Sequence, residues 1–351
     1  MSLTEPQSRF LRACQRLTVD ATPVWFMRQA GRYMPEYRAI REKYSLLEIV
    51  QHPEIAAEVT LQPVYALGVD AAILFADILL PVIPMGLHLE FARGEGPVIS
   101  NPLRTGADIT RLRPIDAEAD LGHVMETIRI LRGELPVNVP LIGFARAPFT
   151  LASYMIEGGS SRDYRLTKTL MHSEPGLWAD LMGKLAGCLE DYLLAQVQAG
   201  AQAVQLFDSW VGALSPQDYA DYVLPHSGRV LKALEATGVP VIHFGTGTAT
   251  LLPLMKQAGG TVIGLDWRVP LDQGWAILGD GVAIQGNLDP ADLFAPLPVL
   301  RRRVEDVLRR AGGRAGHIFN LGHGILPGTP VEHVRAAVEF VHEYHALREA
   351  T

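Results

Sequence analysis

The sequence has few of the residues that build disulfide-stapled or metal-clustered proteins. Only two of its 351 residues are cysteines, Cys14 and Cys188, so a disulfide framework and a cysteine zinc cluster are both excluded. The amino terminus, MSLTEPQSRFLRAC, has no apolar core of a secretory signal. We therefore expect a protein of a reducing, cytoplasmic compartment.

Positive charge and uninterrupted apolar runs are also scarce. There are 31 basic and 38 acidic side chains, giving a net charge of −7, which disfavours a nucleic-acid ligand. The most apolar stretch, residues 71–87, carries Asp77 in its middle and two prolines behind it, which makes it a poor membrane span. Since 48% of the residues are apolar and only 20% are charged, a large core is available. No membrane and no nucleic-acid partner is expected.

Short motifs for common chemistries are missing as well. The chain has no HExxH or HxH metal motif, no nucleophile elbow and no phosphate-binding P-loop. The segment GTGTAT at residues 245–250 has only the first two glycines of the dinucleotide fingerprint, and a tight strand-to-helix turn explains it better. No metal site is expected.

What the chain does contain is a repeated unit. A helical segment ends at a glycine, a run rich in Val, Ile, Leu or Phe follows, and the run closes on a polar residue. Near-continuous apolar runs are typical of parallel strands that are buried on both faces. The eight predicted strands are residues 24–31, 71–77, 141–146, 203–209, 241–245, 262–266, 282–287 and 317–324.

Eight strands alternating with helices favour a single, distorted (β/α)8 barrel of the TIM type over residues 1–351. A doubly wound sheet is the alternative. Residues 84–114 show no clear helical period and are interpreted as an irregular excursion after the second strand.

Barrel enzymes place their sites at the carboxyl ends of the strands. Residues 24–44 hold five basic and two acidic side chains, a local charge of +3 that suggests a small anionic ligand. A salt-bridged helix face explains Arg38, Arg41 and Lys43 equally well. The residues at or near strand ends are Arg28, Arg32, Asp77, Tyr154, Asp208, Ser209 and His323.

Asp77 is the most informative of these because a carboxylate inside an apolar run is costly unless something pairs with it. It is either a structural cap or ion pair, or an acceptor for ligand N–H groups and a counter-charge for a cationic intermediate. Tyr154, Ser209 and His323 each have a structural alternative too, as core residue, helix cap and loop residue. Their convergence on one barrel face favours the functional interpretation.

These residues stand in segments that resemble the uroporphyrinogen decarboxylase family over nearly the whole chain. The two longest matching segments are PVWFMRQAGRYMPEYR at residues 23–38 and GFARAPFTLASYMIEGG at residues 143–159. Four shorter segments, ILFADILLP, QLFDSWVGALSP, GNLDP and NLGHGILPGTP, match in the same order. The resemblance implies a distorted barrel, a homodimer, and decarboxylation of four acetates of uroporphyrinogen III without cofactor or metal.

The resemblance also implies roles for particular residues. Asp77 and Arg28 are the expected catalytic residues, Asp77 facing the pyrrole N–H groups and Arg28 as a possible proton donor. Arg41 is a weaker candidate for the pocket rim and Phe207 for its wall. The expected substrate-binding residues are Arg28, Gln29, Ala30, Gly31, Arg32, Asp77, Tyr154, Ser209 and His323.

One residue departs from the family pattern. Arg146 stands in GFARAP where GFAGAP is usual. If that backbone needs a positive φ, arginine costs on the order of 1 kcal/mol, and its bulk could obstruct the cleft, so activity or stability would be lower. Alternatively, Arg146 adds a cation for a substrate carboxylate.

Two other functions compete with this one. A cobamide-dependent methyltransferase shares the barrel, but such enzymes use zinc-bound cysteines, and the region around His243 has none. A tetrapyrrole-binding relative that has lost catalysis is the second alternative, and Arg146 is its only support.

Overall fold

A computed structural model describes residues 8–91 and 96–349. A parallel sheet of seven strands forms its centre, in the order β1-β4-β5-β6-β7-β8-β9, and β2 and β3 form a separate antiparallel pair. The strands are β1 (Ala72–Ile73), β2 (Leu89–Phe91), β3 (Pro97–Ile99), β4 (Leu141–Arg146), β5 (Ala203–Asp208), β6 (Val241–Gly245), β7 (Val262–Gly264), β8 (Ala283–Gln285) and β9 (His317–Ile318).

Residues 23–25 close the gap between the two ends of this sheet. The Trp25 N–H donates to the Phe319 carbonyl just after β9, and the Phe319 N–H donates to Pro23. On the other side, the Asp70 N–H donates to the Val24 carbonyl just before β1. The sheet therefore curls into a barrel, and its carboxyl ends point to one rim, as predicted for this fold class.

Helices cover the outside of the sheet. The longest, α9, packs against α6, α7, α11 and β4. The helices are α1 (Arg9–Cys14), α2 (Pro35–Lys43), α3 (Leu46–Gln51), α4 (Pro53–Leu67), α5 (Gly106–Thr110), α6 (Ala117–Glu134), α7 (Pro148–Glu157), α8 (Arg165–Ser173), α9 (Pro175–Ala199), α10 (Pro216–Tyr222), α11 (Leu224–Glu235), α12 (Leu252–Ala258), α13 (Leu271–Leu278), α14 (Leu297–Ala311) and α15 (Val331–Glu349).

Local sequence explains where many of these elements begin and end. All six residues of β4 are buried, as expected for a strand covered on both faces. Its successor α7 begins at Pro148, whose missing N–H costs nothing in a first helical turn, and ends at Gly158 with φ +85°. Ser215 caps α10 by accepting from the Asp218 N–H.

The barrel interior is filled partly by polar side chains that bond to one another. Trp25 Nε1 donates to Gln285 on β8 over 3.1 Å, and Gln285 donates to Gln205 on β5 over 3.1 Å. Because β5 and β8 are not neighbours in the sheet, these bonds must cross the interior. They satisfy groups whose burial would otherwise be costly.

Two local predictions were wrong. Of the predicted strand at residues 24–31, only Val24 pairs with a neighbouring strand, because the chain turns at Phe26, whose carbonyl accepts from the Gln29 N–H. Residues 84–114 are not irregular throughout, since they contain the β2–β3 pair and the short helix α5. These short elements lack the length that makes a periodic pattern readable.

Candidate active site

The candidate residues gather at the carboxyl rim of the barrel. Asp77 follows β1, Arg146 ends β4, and Ser209 follows β5. Arg28 follows the closing segment, and His323 follows β9. Because these elements are successive members of one ring, the rim collects side chains that are far apart in sequence.

Asp77 is a half-buried carboxylate with a fixed orientation. Its Oδ1 accepts from the Leu79 N–H over 2.8 Å. Burial raises the pKa of Asp77, while the Leu79 N–H, Arg146 and Arg28 act in the opposite direction. Asp77 therefore lies within electrostatic reach of two guanidinium groups, and its free oxygen edge can accept a ligand N–H.

Arg28 reaches the rim from a strained turn. Its φ is +61°, a left-handed conformation that side chains other than glycine rarely adopt. Its aliphatic stem lies against Gly324, where a Cβ would stand only 2.5 Å from Arg28 Cδ. Gly324 therefore leaves room for Arg28 directly beside His323. Strained backbone of this kind is often found at functional sites.

Gln29 holds this turn in place. Its side chain accepts from the Phe26 N–H over 3.1 Å and donates to the Ala71 carbonyl over 3.1 Å. Gln29 is fully buried, and its own carbonyl accepts from the Tyr33 hydroxyl. Ala30 and Gly31, which are also expected to line the pocket, are half-buried.

Tyr154 belongs to an aromatic shelf beside Asp77. Its ring stacks on Trp210 with the ring centroids 4.0 Å apart. The ring of Tyr164 is tilted against Trp210, and those two centroids are 5.2 Å apart. Burial raises the pKa of Tyr154, with Arg146, Asp77 and Arg28 all acting on it. The structure thus brings Tyr154 together with both expected catalytic residues.

Arg146 lies over this shelf, and its backbone is ordinary. Its guanidinium carbon is 4.5 Å from the Tyr154 ring centroid and 5.4 Å from that of Trp210. The non-glycine residues with positive φ in the described ranges are Arg16, Arg28 and Tyr164. Arg146 is not among them, so the expectation of a strained backbone at Arg146 is wrong. β4 keeps its regular parallel register here, with Arg146 opposite Phe207.

His323 is a neutral group at this rim. Burial, together with the positive charges of Arg28, Arg146 and Arg268, lowers the pKa of His323 to about 4. A neutral imidazole can donate from one ring nitrogen and accept at the other. It suits hydrogen bonding to a ligand better than charge neutralisation.

The end of β5 carries Asp208 and Ser209. Asp208 is fully buried, and its Oδ1 accepts from the Thr150 hydroxyl over 2.9 Å. Thr150 also accepts from the Trp210 N–H, so Asp208 and Thr150 fix the residue that supports Tyr154. Ser209 is half-buried, and its carbonyl accepts from the Thr246 hydroxyl.

The remaining candidates lie further out. Arg32 is exposed and acts on the pKa of Tyr37, which Asp77 also affects. Arg41 donates to the Tyr44 carbonyl over 2.7 Å at the surface. Phe207 is half-buried, with its ring 5.7 Å from Phe144.

Trp210 is the residue that sequence reasoning missed. It directly follows Ser209 in FDSW, and an aromatic residue at a strand end was the available signal. Asp266 was recognised only as the end of a predicted strand. It binds the Gly247 and Arg268 N–H groups and acts on the pKa of His323, so it supports the rim beyond β7.

No cluster of three or more metal-ligating side chains occurs in residues 8–91 and 96–349. None of the helices there is long and apolar enough to cross a bilayer. Two clefts, of about 570 and 410 Å³, lie away from the rim and contain none of the candidate residues.

The charge balance of the rim defines its chemistry. Within the described ranges, Arg28, Arg32 and Arg146 form no salt bridge, although all three lie near Asp77 or act on a tyrosine beside it. Guanidinium groups without a carboxylate partner are ready-made binding groups for anions. The fold is that of a barrel enzyme, and the side chains at its rim are suited to a polyanionic ligand around one central carboxylate.

Comparison with known proteins identifies the particular family. Residues 5–344 match the uroporphyrinogen decarboxylase (URO-D) family, and the chain belongs to it. It is 62% identical to the uroporphyrinogen decarboxylase of Sorangium cellulosum, with 95% of each chain covered. It is 59% identical to that of Roseiflexus sp., with 97% of this chain and 99% of the relative covered.

Solved structures with the same fold have other names. A methyltransferase from Methanosarcina mazei superposes with a TM-score of 0.82 at 19% identity, covering 96% of this chain and 98% of the other. A B12-independent methionine synthase from Shewanella sp. gives a TM-score of 0.57 at 13% identity, covering 87% and 92%. At these identities the likeness shows the fold alone.

Proposed function

We propose that this chain catalyses the decarboxylation of the four acetate side chains of uroporphyrinogen III to methyl groups, giving coproporphyrinogen III. The observation that carries this proposal is one half-buried carboxylate, Asp77, within electrostatic reach of guanidinium groups that form no salt bridge with any described carboxylate. A macrocycle with central N–H groups and eight peripheral carboxylates complements that arrangement. Membership of the family supports the same activity.

The reaction needs an electron sink, and the pyrrole supplies it. Direct loss of CO2 from an acetate leaves an unstabilised carbanion. If a ring carbon next to the acetate-bearing carbon is protonated first, the ring becomes a cationic iminium-like system. The C–C bond to the carboxylate then breaks, its electron pair enters the ring, and a second proton completes the methyl group when the first is released.

Asp77 has the properties that this intermediate requires. An ionised carboxylate facing the pyrrole N–H groups binds the substrate and stabilises the positive charge as it develops. Burial raises the pKa of Asp77, whereas the Leu79 N–H, Arg146 and Arg28 favour its charged form. Pyrrole N–H donors would add to the groups that keep it ionised.

The other rim residues fit the carboxylate arms of the substrate. Arg28 and Arg32 supply forked donors, Ala30 and Gly31 line the pocket beside them, and Gln29 fixes that turn. Neutral His323, together with Ser209 and Tyr154, adds hydrogen bonds to the same arms. Arg28 acts on the pKa of Asp77, and we assign it a second role as a proton donor or relay, although arginine is ordinarily a poor acid.

Three further expectations are part of the proposal. Residues 1–351 act as one domain, which the continuous seven-stranded sheet supports. The mechanism above requires no cofactor. The protein works in the cytoplasm as a homodimer. Sedimentation of the purified protein at micromolar concentration measures the oligomeric state directly.

Anaerobic turnover tests the function. Purified protein is incubated with uroporphyrinogen III, and the products are oxidised and separated by their number of carboxyl groups. Successive loss of four carboxyls is the expected result. Unchanged octacarboxylate would identify a tetrapyrrole-binding relative instead and would overturn the proposal.

A further inference from the structure

Arg146 approaches Asp77 from a different element of the barrel than Arg28 does. The sheet order places β4 between β1, which leads to Asp77, and β5, which leads to Ser209. Arg28 comes from the closing segment on the opposite side of β1. The elements that flank β1 therefore each lead to one arginine, and both arginines act on the pKa of Asp77.

The Arg146 side chain is buried and forms no salt bridge within the described residues. It is 5% exposed, and its Nε has no hydrogen-bond partner in the described part of the chain. Asp77 lies within electrostatic reach of it, but neither Asp77 nor any other described carboxylate forms a salt bridge with it. Burying an unpaired cation is costly, so the site is complete only when an anion is bound.

The side chain is also held in one orientation. Its guanidinium lies over Tyr154 and Trp210, whose rings stack at 4.0 Å, and cation–π contact favours that position. Thr150 and Asp208 fix Trp210 from behind. A cation fixed before binding loses little conformational entropy when it meets a carboxylate.

We infer that Arg146 binds a substrate carboxylate on the β5 side of Asp77 and is a further specificity-determining residue of this enzyme. The inference rests on the proposed function. A macrocycle centred on Asp77 extends carboxylated edges to both flanks, so Arg28 and Arg146 hold opposite edges. Both the acetates and the propionates of the substrate have the required chemistry.

Replacement of the charge at constant bulk tests this role. Arg146→Met keeps an apolar side chain on Tyr154 and Trp210, and Arg146→Lys keeps the charge without the planar fork. We expect KM for uroporphyrinogen III to rise about tenfold in the methionine variant and less in the lysine variant. Arg302→Met, at an exposed arginine of α14, is the matched control and leaves KM unchanged.

Inhibition by the tetracarboxylate product shows whether Arg146 binds a propionate or an acetate side chain of the substrate. If Arg146 holds a propionate, the inhibition constant of coproporphyrinogen III rises by the same factor as KM. If it holds an acetate, only KM rises, and either result supports a carboxylate anchor. An unchanged or lower KM in folded Arg146→Met overturns the inference and indicates that Arg146 obstructs the cleft.

The test separates this inference from the proposed function. Absence of turnover in the wild-type protein would reject the function itself. Normal wild-type turnover with equal KM in the methionine variant would reject only Arg146. If the methionine variant does not fold, the lysine variant decides, because a KM equal to that of the wild type would exclude a forked carboxylate contact.

Discussion

The charge of Asp77 is its decisive property in the proposed mechanism. Asp77→Asn keeps the shape and the acceptor for the Leu79 N–H but removes the charge. We expect kcat to fall at least about tenfold, which corresponds to about 1.4 kcal/mol of lost transition-state stabilisation. Single-turnover decarboxylation of uroporphyrinogen III measures the change, and thermal melting checks that the variant is folded.

The pH dependence of the same step provides a second measure. Burial raises the pKa of Asp77 above its ordinary 3.8, so the wild-type rate should fall as acidification protonates it at a pH above that value. The asparagine variant has no such group, and its low rate should lack this acid limb. A near-normal rate in Asp77→Asn contradicts the assigned role.

The ionisation of Asp208 should make the free energy of unfolding depend on pH. Burial raises its pKa to about 7, against the opposing effects of Thr150 and Arg146. Between about pH 4 and 7 the folded protein keeps a proton that the unfolded chain has released. The stability contributed by the neutral form is therefore lost progressively as the pH rises from about 4 to about 7.

Asp208→Asn should remove this loss, because the amide stays neutral and can still accept from Thr150. The difference in the free energy of unfolding between the variant and the wild type should shift in favour of the variant by on the order of 2 kcal/mol between pH 5 and 8. Thermal melting measures this as a melting-temperature difference that changes by a few degrees over the same pH range. Asp163→Asn, at an exposed position, is the control and should show a constant difference. A constant difference in Asp208→Asn would mean that Asp208 ionises normally.

At the scale of elements, the turn between the closing segment and α2 determines where Arg28 lies. Gln29→Leu leaves the Phe26 N–H and the Ala71 carbonyl buried without partners. We expect a loss of about 2–4 kcal/mol in the free energy of unfolding. KM for uroporphyrinogen should rise as well, because the strained Arg28 backbone loses its support.

Gln196→Leu is a matched control for that experiment. Gln196 is equally buried and bonds to both backbone groups of Phe144, so its loss should cost similar stability. It lies outside the barrel on α9, so KM should change far less than in Gln29→Leu. Equal KM values in the two variants would show that Gln29 supports the fold without positioning Arg28.

Elements differ in how well the sequence predicts them. β4, β5 and β6 were predicted correctly within one residue because buried parallel strands read as continuous apolar runs. The run beginning at Val24 looks the same, yet it turns after Trp25, because the side chain of Gln29 bonds to Phe26 and Ala71. The bond to Ala71 joins segments 42 residues apart and leaves no local signature.

The same limit applies to the site. Strand-end position predicted that Asp77, Tyr154, Ser209 and His323 share one rim, and the structure places them there. The positive φ of Arg28, the stacking of Trp210 on Tyr154 and the unpaired state of Arg146 depend on packing between strands. Sequence patterns report periodicity and do not report such packing.

On the scale of the whole molecule, the two rims of the barrel have different tasks. Asp70 precedes β1 at the rim opposite to Asp77, and its carboxylate closes the barrel. Oδ2 accepts from the Val24 N–H over 2.8 Å and lies 2.8 Å from His342 Nε2 on α15. Oδ1 lies 3.3 Å from Arg9. One side chain thus ties the closing segment to the first and last helices.

Asp70→Ala should therefore weaken the fold without altering the chemistry. The buried Val24 N–H loses its acceptor, so we expect the free energy of unfolding to fall by about 2–4 kcal/mol. Asp20→Ala removes the exposed carboxylate partner of Arg9 and should cost less than about 1 kcal/mol. Denaturant unfolding measures both variants, and kcat and KM at 25 °C should match the wild type in each. A fall in kcat or a rise in KM for folded Asp70→Ala would show that closure at one rim shapes the site at the other.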